Sequence, residues 1–361
     1  MDSPAPPAGG IVDSILNNLH ALEAIRAKMG LNAPPSWEGL HRETKGVQTS
    51  NFLVEGAKID MTSIMSPHFH VSHSMSWGSA QFPPTYQFGT AYAKAKYSVH
   101  GQIDHEGSLQ AREPPKRSSA TKVTAQLSQQ AGHSMVQLEQ DIIGSDFSFN
   151  LKTTNPNPFD KAPSWAESKT DSSTTGIFQT AYLQSVSRSL ALGAEFVLQR
   201  PAPDVEESAI TFAARYAPAP TGPLPPPSTI PIGSPSPFPP VNPTDPHEII
   251  TATYSPTTSL LHTTYWRRLN QRLEVAAELQ LLASRATPMG EGRREGLASV
   301  AFKLDTINAS IRGQVDTAGR LACVLEERLA PGIALLLSGE IEYGKGAGGQ
   351  GRVGVGFTLE M

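Results

Sequence analysis

Cysteine is nearly missing from this chain: Cys323 is the only one in 361 residues, which excludes an internal disulfide framework and the small stapled folds that depend on one. Charge is sparse as well. Charged residues make up 17% of the chain and the formal net charge is −4, so there is no basic field to hold nucleic acid and no polybasic segment to seek anionic lipid. Also absent is any run of roughly 20 apolar residues, the length a membrane-spanning helix needs, and the mean hydropathy is −0.26. That last absence excludes helices through a bilayer but not strands. A barrel strand alternates lipid-facing with lumen-facing side chains, and its average hydropathy stays near neutral. No clustered Ser/His/Asp, Cys/His or paired-carboxylate set proposes an enzyme, and no cofactor is implied.

What the sequence does have is a rhythm that changes once. After a Pro/Gly/Ala-rich start at residues 1–10, Ile11, Ile15, Leu16, Leu19, Leu22 and Ile25 recur at helical spacing and predict an amphipathic helix ending near Gly30. Its acids, Asp13 and Glu23, argue against a cleaved targeting sequence. A second short helical piece follows Pro34 and Pro35, through Trp37, Leu40 and Thr44. From about Asn51 the period becomes two and persists nearly to the C-terminus, broken by Gly, Pro, Asn and Asp clusters. Leu192, Ala194, Phe196 and Leu198 alternate with Gly193, Glu195 and Gln199; Val353, Val355, Phe357 and Leu359 alternate with Arg352, Gly354, Thr358 and Glu360.

The count of such segments is about nineteen strands of roughly ten residues, long enough for tilted strands to cross a bilayer. With no helices between them, they predict an all-β transmembrane barrel, one meandering antiparallel sheet closed on itself. The reading divides the chain into an N-terminal extension, residues 1–48, and a barrel, residues 49–361. A proline-rich loop at 217–246, with Pro225–Pro227, Pro239 and Pro240, cannot supply ladder donors and interrupts the barrel.

Alternation also sorts charges. Glu139 and Asp141 fall opposite Val136 and Leu138, Glu274 and Glu278 opposite the Val275–Leu281 stripe, and Glu340 and Glu342 opposite Leu335, Leu337 and Ile341. A cation at mid-membrane on the lipid face costs about 2–4 kcal/mol and an acid somewhat less, so these carboxylates belong to a watery lumen. Dispersed there, each attracts a passing cation by about 1 kcal/mol, enough to steer and too little to trap.

Several segments, taken together, resemble one family. They are Gln137-Leu-Glu-Gln-Asp141 with Ser145-Asp-Phe-Ser148 and Lys152-Thr-Thr-Asn-Pro156; Tyr182-Leu-Gln-Ser-Val186 with Leu190-Ala-Leu-Gly-Ala-Glu195; Tyr265-Trp-Arg-Arg268; and Ala322-Cys-Val-Leu-Glu-Glu-Arg328 with Ser338-Gly-Glu-Ile341. Over roughly residues 36–361 the chain is similar to a fungal-like pore-forming subunit of the mitochondrial outer-membrane protein translocase, the TOM complex, within the eukaryotic porin superfamily. The resemblance implies a nineteen-stranded barrel whose first and last strands pair in parallel, with the N-terminal segment threading the lumen and both termini toward the intermembrane space. It implies a multi-pass protein of the mitochondrial outer membrane that conducts unfolded precursor proteins. Its expected partners are those precursors, a single-span receptor subunit, small helical subunits, surrounding phospholipid, and at least one further copy of the pore. Acidic patches guiding basic presequences would fall at Asp60, Glu326 and Glu340. The run from Arg352 through Gly354 to Phe357 and Leu359 looks like a β-signal for the outer-membrane sorting machinery. On this orientation the proline-rich loop, placed after the eleventh strand, is expected in the cytosol.

The competing expectation is a voltage-dependent anion channel, a metabolite pore of the same superfamily, whose lumen should be basic. A soluble all-β scaffold is a further alternative, since alternation alone does not say which face meets lipid. Three tempting motifs carry less. His68 and His70 should face away from His73, which weakens a metal reading. Gly346, Gly348 and Gly351 match a dinucleotide fingerprint in letters, but a strand follows them instead of a helix. Asn308-Ala-Ser310 is a glycosylation sequon an imported protein would not present.

Overall fold

The computed structural model describes residues 31–79, 83–94, 97–104, 109–112, 119–126, 135–157, 175–202, 205–218, 245–283, 294–344 and 351–361. Nineteen strands account for most of them: β1 (Gly56–Ser66), β2 (Phe69–Trp77), β3 (Thr85–Lys94), β4 (Tyr97–Asp104), β5 (Leu109–Arg112) and β6 (Ser119–Gln126). There follow β7 (Met135–Ile143), β8 (Phe147–Asn157), β9 (Thr175–Ser185), β10 (Leu190–Ala202), β11 (Val205–Tyr216), β12 (Glu248–Ser255) and β13 (Leu260–Arg268). The last are β14 (Leu273–Ala283), β15 (Arg294–Asp305), β16 (Ala309–Asp316), β17 (Arg320–Ala330), β18 (Ile333–Glu342) and β19 (Gly351–Glu360). The expected helix at residues 11–30, the glycine-rich turn at 346–350 and most of the proline-rich loop lie outside the described residues.

Consecutive strands are neighbours in one 19-stranded sheet, antiparallel where their register is defined, and β1 pairs on its other side with β19 in parallel. An even meander would close antiparallel; an odd number forces this one parallel seam. Closure leaves no edge of unpaired N–H and C=O groups, each of which would cost several kcal/mol in hydrocarbon.

The period of two gives the cylinder two unlike faces. Outward, Leu192, Phe196, Ile210, Phe212, Tyr254, Leu279, Leu281, Phe302 and Phe357 stand exposed. Their inward alternates include the buried Ala213, Arg215, Thr251 and Ser299. So large and continuous an exposed apolar surface suits lipid and not water. The barrel is therefore transmembrane, as the alternation predicted.

The parallel seam also fixes the two mouths. Gly56 and Gly351 begin their strands at one, the entry mouth; β1 and β19 end together at the other, the terminal mouth, where Ile64 N–H donates to the Met361 carbonyl at 2.9 Å. Every odd strand runs toward the terminal mouth. Tyr216 and Glu248, which flank the proline-rich loop, therefore lie on the same side as the C-terminus. This corrects one expectation: the loop cannot face the cytosol while the C-terminus faces the intermembrane space, because both follow odd-numbered strands.

Before β1 the chain lies inside the cylinder as a strap. A 3-10 turn at Trp37–Gly39 and one short helix, α1 (Arg42–Val47), form where the Pro34–Pro35 pair predicted a helical piece. The strap starts near the terminal mouth, where Ser185 Oγ donates to the Asn32 carbonyl at 2.6 Å, and reaches the entry mouth at Gly56. At Gly56 (φ 76°) the main chain turns into β1 so close to the Trp77 carbonyl that a side chain has no room.

Candidate functional site: a strapped lumen

Two apolar clusters and a set of polar anchors hold the strap. Leu40 packs on Leu183 and Ala213 with Trp37 beside them, and Val47 packs on Ile249, Trp266, Ala276 and Ala301. Between these clusters Arg215, almost fully buried, donates to the Leu40 carbonyl (2.8 Å) and to both oxygens of Glu43 (3.2 and 3.0 Å). Burial of this charge is tolerable because a bidentate carboxylate and a carbonyl satisfy it together. Further along, Gln48 donates to Glu278, and Thr49 gives both its N–H (3.0 Å) and its hydroxyl (3.1 Å) to Gln314 Oε1. His41 Nδ1 lies 3.0 Å from Thr264 Oγ1, and its ring centroid is 4.4 Å from that of His262, the two planes tilted by 31°. Burial, then the neighbouring His262 and Lys45, lower the His41 pKa to about 4.

All the acids singled out from the sequence lie on the inner face, but in two different situations. Glu139, Glu274, Glu278 and Glu326 are engaged by strands near the strap. Glu139 is 2% exposed with Lys122 Nζ at 2.8 Å, and Asn150 donates to both Glu139 (3.1 Å) and Asp141 (2.5 Å). Arg268 lies 2.9 Å from Glu274, which also accepts from Trp266 Nε1 at 3.3 Å. His262 Nε2 is 2.6 Å from Glu278, and Arg312 is 3.3 Å from Glu326 while resting over the Phe52 ring at 3.8 Å. Asp60, Glu340 and Glu342 lie toward the entry mouth. Asp60 pairs with Lys58 at 2.9 Å and accepts from Ser74 Oγ at 2.5 Å. Glu340 and Glu342 line a cavity of about 1060 Å³ with Glu55, Asp316, Arg320 and Arg352. In the sheet register Glu340 faces Arg352 and Glu342 faces Arg320.

Of the four residues expected from the sequence to form a β-signal, Arg352 and Gly354 face the lumen, while Phe357 and Leu359 share the outward face. Cys323 is exposed on that outward face too, between Gly313 and Gly339 in the register. His70 and His73 fall on opposite faces, and His73 Nδ1 lies 2.8 Å from the Tyr86 hydroxyl. Among the described residues no group of three or more His, Cys, Asp or Glu could hold a metal.

Sequence reasoning missed the cations that balance the acids, Lys122, Arg215, Arg268 and Arg312, as well as the strap acids Glu38, Glu43 and Glu55. Alternation could have turned Arg215 inward, since it alternates with Phe212, Ala214 and Tyr216 on β11. No local pattern could pair it with Glu43, which is 172 residues away.

The match to a family model follows this architecture. The Eukaryotic porin model covers residues 33–354, from the strap to the last strand. The chain belongs to the eukaryotic porin family. Among curated proteins, this porin is 27% identical over 356 residues to the mitochondrial import receptor subunit tom40 of Neurospora crassa, covering 97% of this chain and 89% of that one. It is 27% identical over 363 residues to TOM40 of Saccharomyces cerevisiae (96% and 83% covered). It is 26% identical over 366 residues to TOM40 homolog 2 of Drosophila melanogaster (98% and 90% covered).

Proposed function

We propose that this porin is the protein-conducting pore of a TOM complex in the mitochondrial outer membrane, through which unfolded precursor proteins pass. The observation that carries the reading is end-to-end similarity to mitochondrial import receptor subunits from three distant organisms, on a barrel whose lumen is polar and acid-bearing. The anion-channel alternative is not favoured: the relatives named are import subunits, and acids face the lumen along β1, β7, β14, β17 and β18.

In this reading basic presequences are drawn along Asp60, Glu139, Asp141, Glu274, Glu278, Glu326, Glu340 and Glu342. Glu340 and Glu342, which line the open cavity, act first. Acids held at close range by a wall side chain, Glu139 by Lys122, Glu274 by Arg268 and Glu278 by His262, act less, because a carboxylate already bonded to its partner offers a visiting cation little more. Weak, dispersed attraction suits passage: each contact is worth about 1 kcal/mol in water and none holds the chain. Arg352, Gly354, Phe357 and Leu359 serve as the β-signal during insertion. The termini lie toward the intermembrane space, a single-span receptor subunit and small helical subunits surround the barrel with phospholipid, and at least two pores assemble.

The test combines two measurements on Glu340→Gln/Glu342→Gln. Crosslinking of a basic presequence peptide to the pore should fall several-fold with the barrel intact, and the reversal potential in planar bilayers should shift away from cation preference. Unchanged crosslinking removes the acid-guidance mechanism; anion preference in the unmodified pore removes the import reading.

A further inference from the structure

The last stretch of the strap, from Phe52 to Val54, meets the barrel wall along a single row of the sheet. Neighbouring strands place Arg312 (β16) beside Val324 (β17), Val324 beside Ser338 (β18), Ser338 beside Gly354 (β19), and Gly354 beside Gly56 at the start of β1. The strap crosses this row as it approaches its own strand. Phe52 lies over Arg312, Val324 is fully covered, and Val54 lies over Ser338 and Gly354.

The side chains in the row shrink toward the seam: arginine, valine, serine, glycine. There is a covalent reason for such a taper. The strap rides one side-chain layer above the sheet, yet at Gly56 it must enter the sheet itself, so the space beneath it falls to nothing over a few residues. At Ser338 the gap admits a hydroxyl, which accepts from Val54 N–H (3.1 Å) and donates to the Val54 carbonyl (2.6 Å). At Gly354 it admits no side chain, since a Cβ there would collide with the Val54 carbonyl and lie 3.0 Å from Glu55 N. Gly356, two residues on and on the same face, differs: an added Cβ would come no nearer than 3.3 Å to the Leu336 side chain and 3.9 Å to its carbonyl.

We infer that Ser338 and Gly354 form a seat for the N-terminal strap, so that the last hairpin both closes the cylinder and positions the segment that narrows its lumen. The seat makes closure of the parallel seam and placement of the strap one structural event. It is independent of what the pore conducts.

The experiment uses the full chain with Cys323→Ser, reconstituted in vesicles, and a reporter disulfide between Thr49→Cys and Gln314→Cys, whose native side chains touch. Barrel formation is read separately from heat-shifted mobility on gels. Gly354→Ala is expected to lower the disulfide yield at least about tenfold while the barrel persists, and Gly356→Ala to leave it unchanged. Ser338→Val, which removes both hydrogen bonds to Val54 and a longer one (3.5 Å) to the Gly354 carbonyl, is expected to lower it about fivefold while the barrel persists. Equal yields for the two glycine variants, or a normal yield for Ser338→Val, overturn the seat. Should Gly354→Ala fail to form a barrel, the Ser338→Val yield decides alone.

Discussion

The inner wall of this barrel is built in two styles. From β8 to β18 the strap covers the wall, and beneath it lie Leu183, Ala213, Ile249, Trp266, Ala276, Ala301 and Val324, packed and dry, with a buried arginine clamped between clusters. From β1 to β4 the wall carries Ser72, Ser74, Ser76, Thr85, Gln87 and Gln102, with polar bonds running across it: Ser74 to Asp60 and Ser76 to Thr85, each at 2.5 Å, and Gln102 to Gln87 at 2.6 Å. The strapped arc obeys the packing rules of a protein interior and the bare arc those of a wet surface. A chain in transit therefore meets hydroxyls and amides on one side and the strap on the other, while most of the apolar lumen side chains lie hidden beneath the strap.

From that contrast, the same kind of change should matter on one arc and not on the other. The largest effect is expected for Arg215→Met, which removes the buried bidentate partner of Glu43 and the closer of two donors to the Leu40 carbonyl, Thr251 Oγ1 remaining at 3.4 Å. Breaking a buried pair costs about 3–5 kcal/mol, and hydrogen exchange across residues 37–54 should rise steeply with the barrel otherwise intact. Leu40→Ala follows, at about 2–5 kcal/mol for emptying a packed site, read by the same exchange. Acid is a milder probe. His41 is neutral when docked because its pKa is lowered to about 4, and a released strap returns it toward the ordinary value near 6.5. The released state then binds more protons, so docking is full above about pH 6.5 and weakens as pH falls toward 4, by at most about tenfold per pH unit. His41→Leu should flatten that dependence in exchange experiments run across this window. The smallest effect is expected on the bare arc, where Gln102→Ala should change strap exchange and barrel stability by less than about 0.5 kcal/mol. An effect there as large as at Leu40 would erase the distinction between the arcs.

The alternation read in the sequence carried the barrel, the strand number and the facing of the acids, because in a sheet the direction of a side chain depends only on its parity along the strand. Val136 against Glu139, or Phe357 against Gly354, could be sorted without knowing any neighbour. The short helical piece after Pro35 was legible too, from proline at its start and from Leu40 and Thr44 at helical spacing. The electrostatic state of the acids was not. Whether Glu278 is open or engaged depends on Gln48 and His262, and Glu326 on Arg312, partners that come near only when the ring closes and the strap lies down. The side on which the proline-rich loop emerges was likewise settled by the parallel seam and not by any feature of the loop.

By itself, then, the sequence determined which side chains face oil and which face water, since that follows from a two-residue repeat and the hydrophobic effect acting strand by strand. Only the tertiary structure decided what stands opposite each inward residue. Closure joins strands hundreds of residues apart, and the strap's descent to Gly56 requires glycine at 354 for a reason of space that no local stretch of sequence contains.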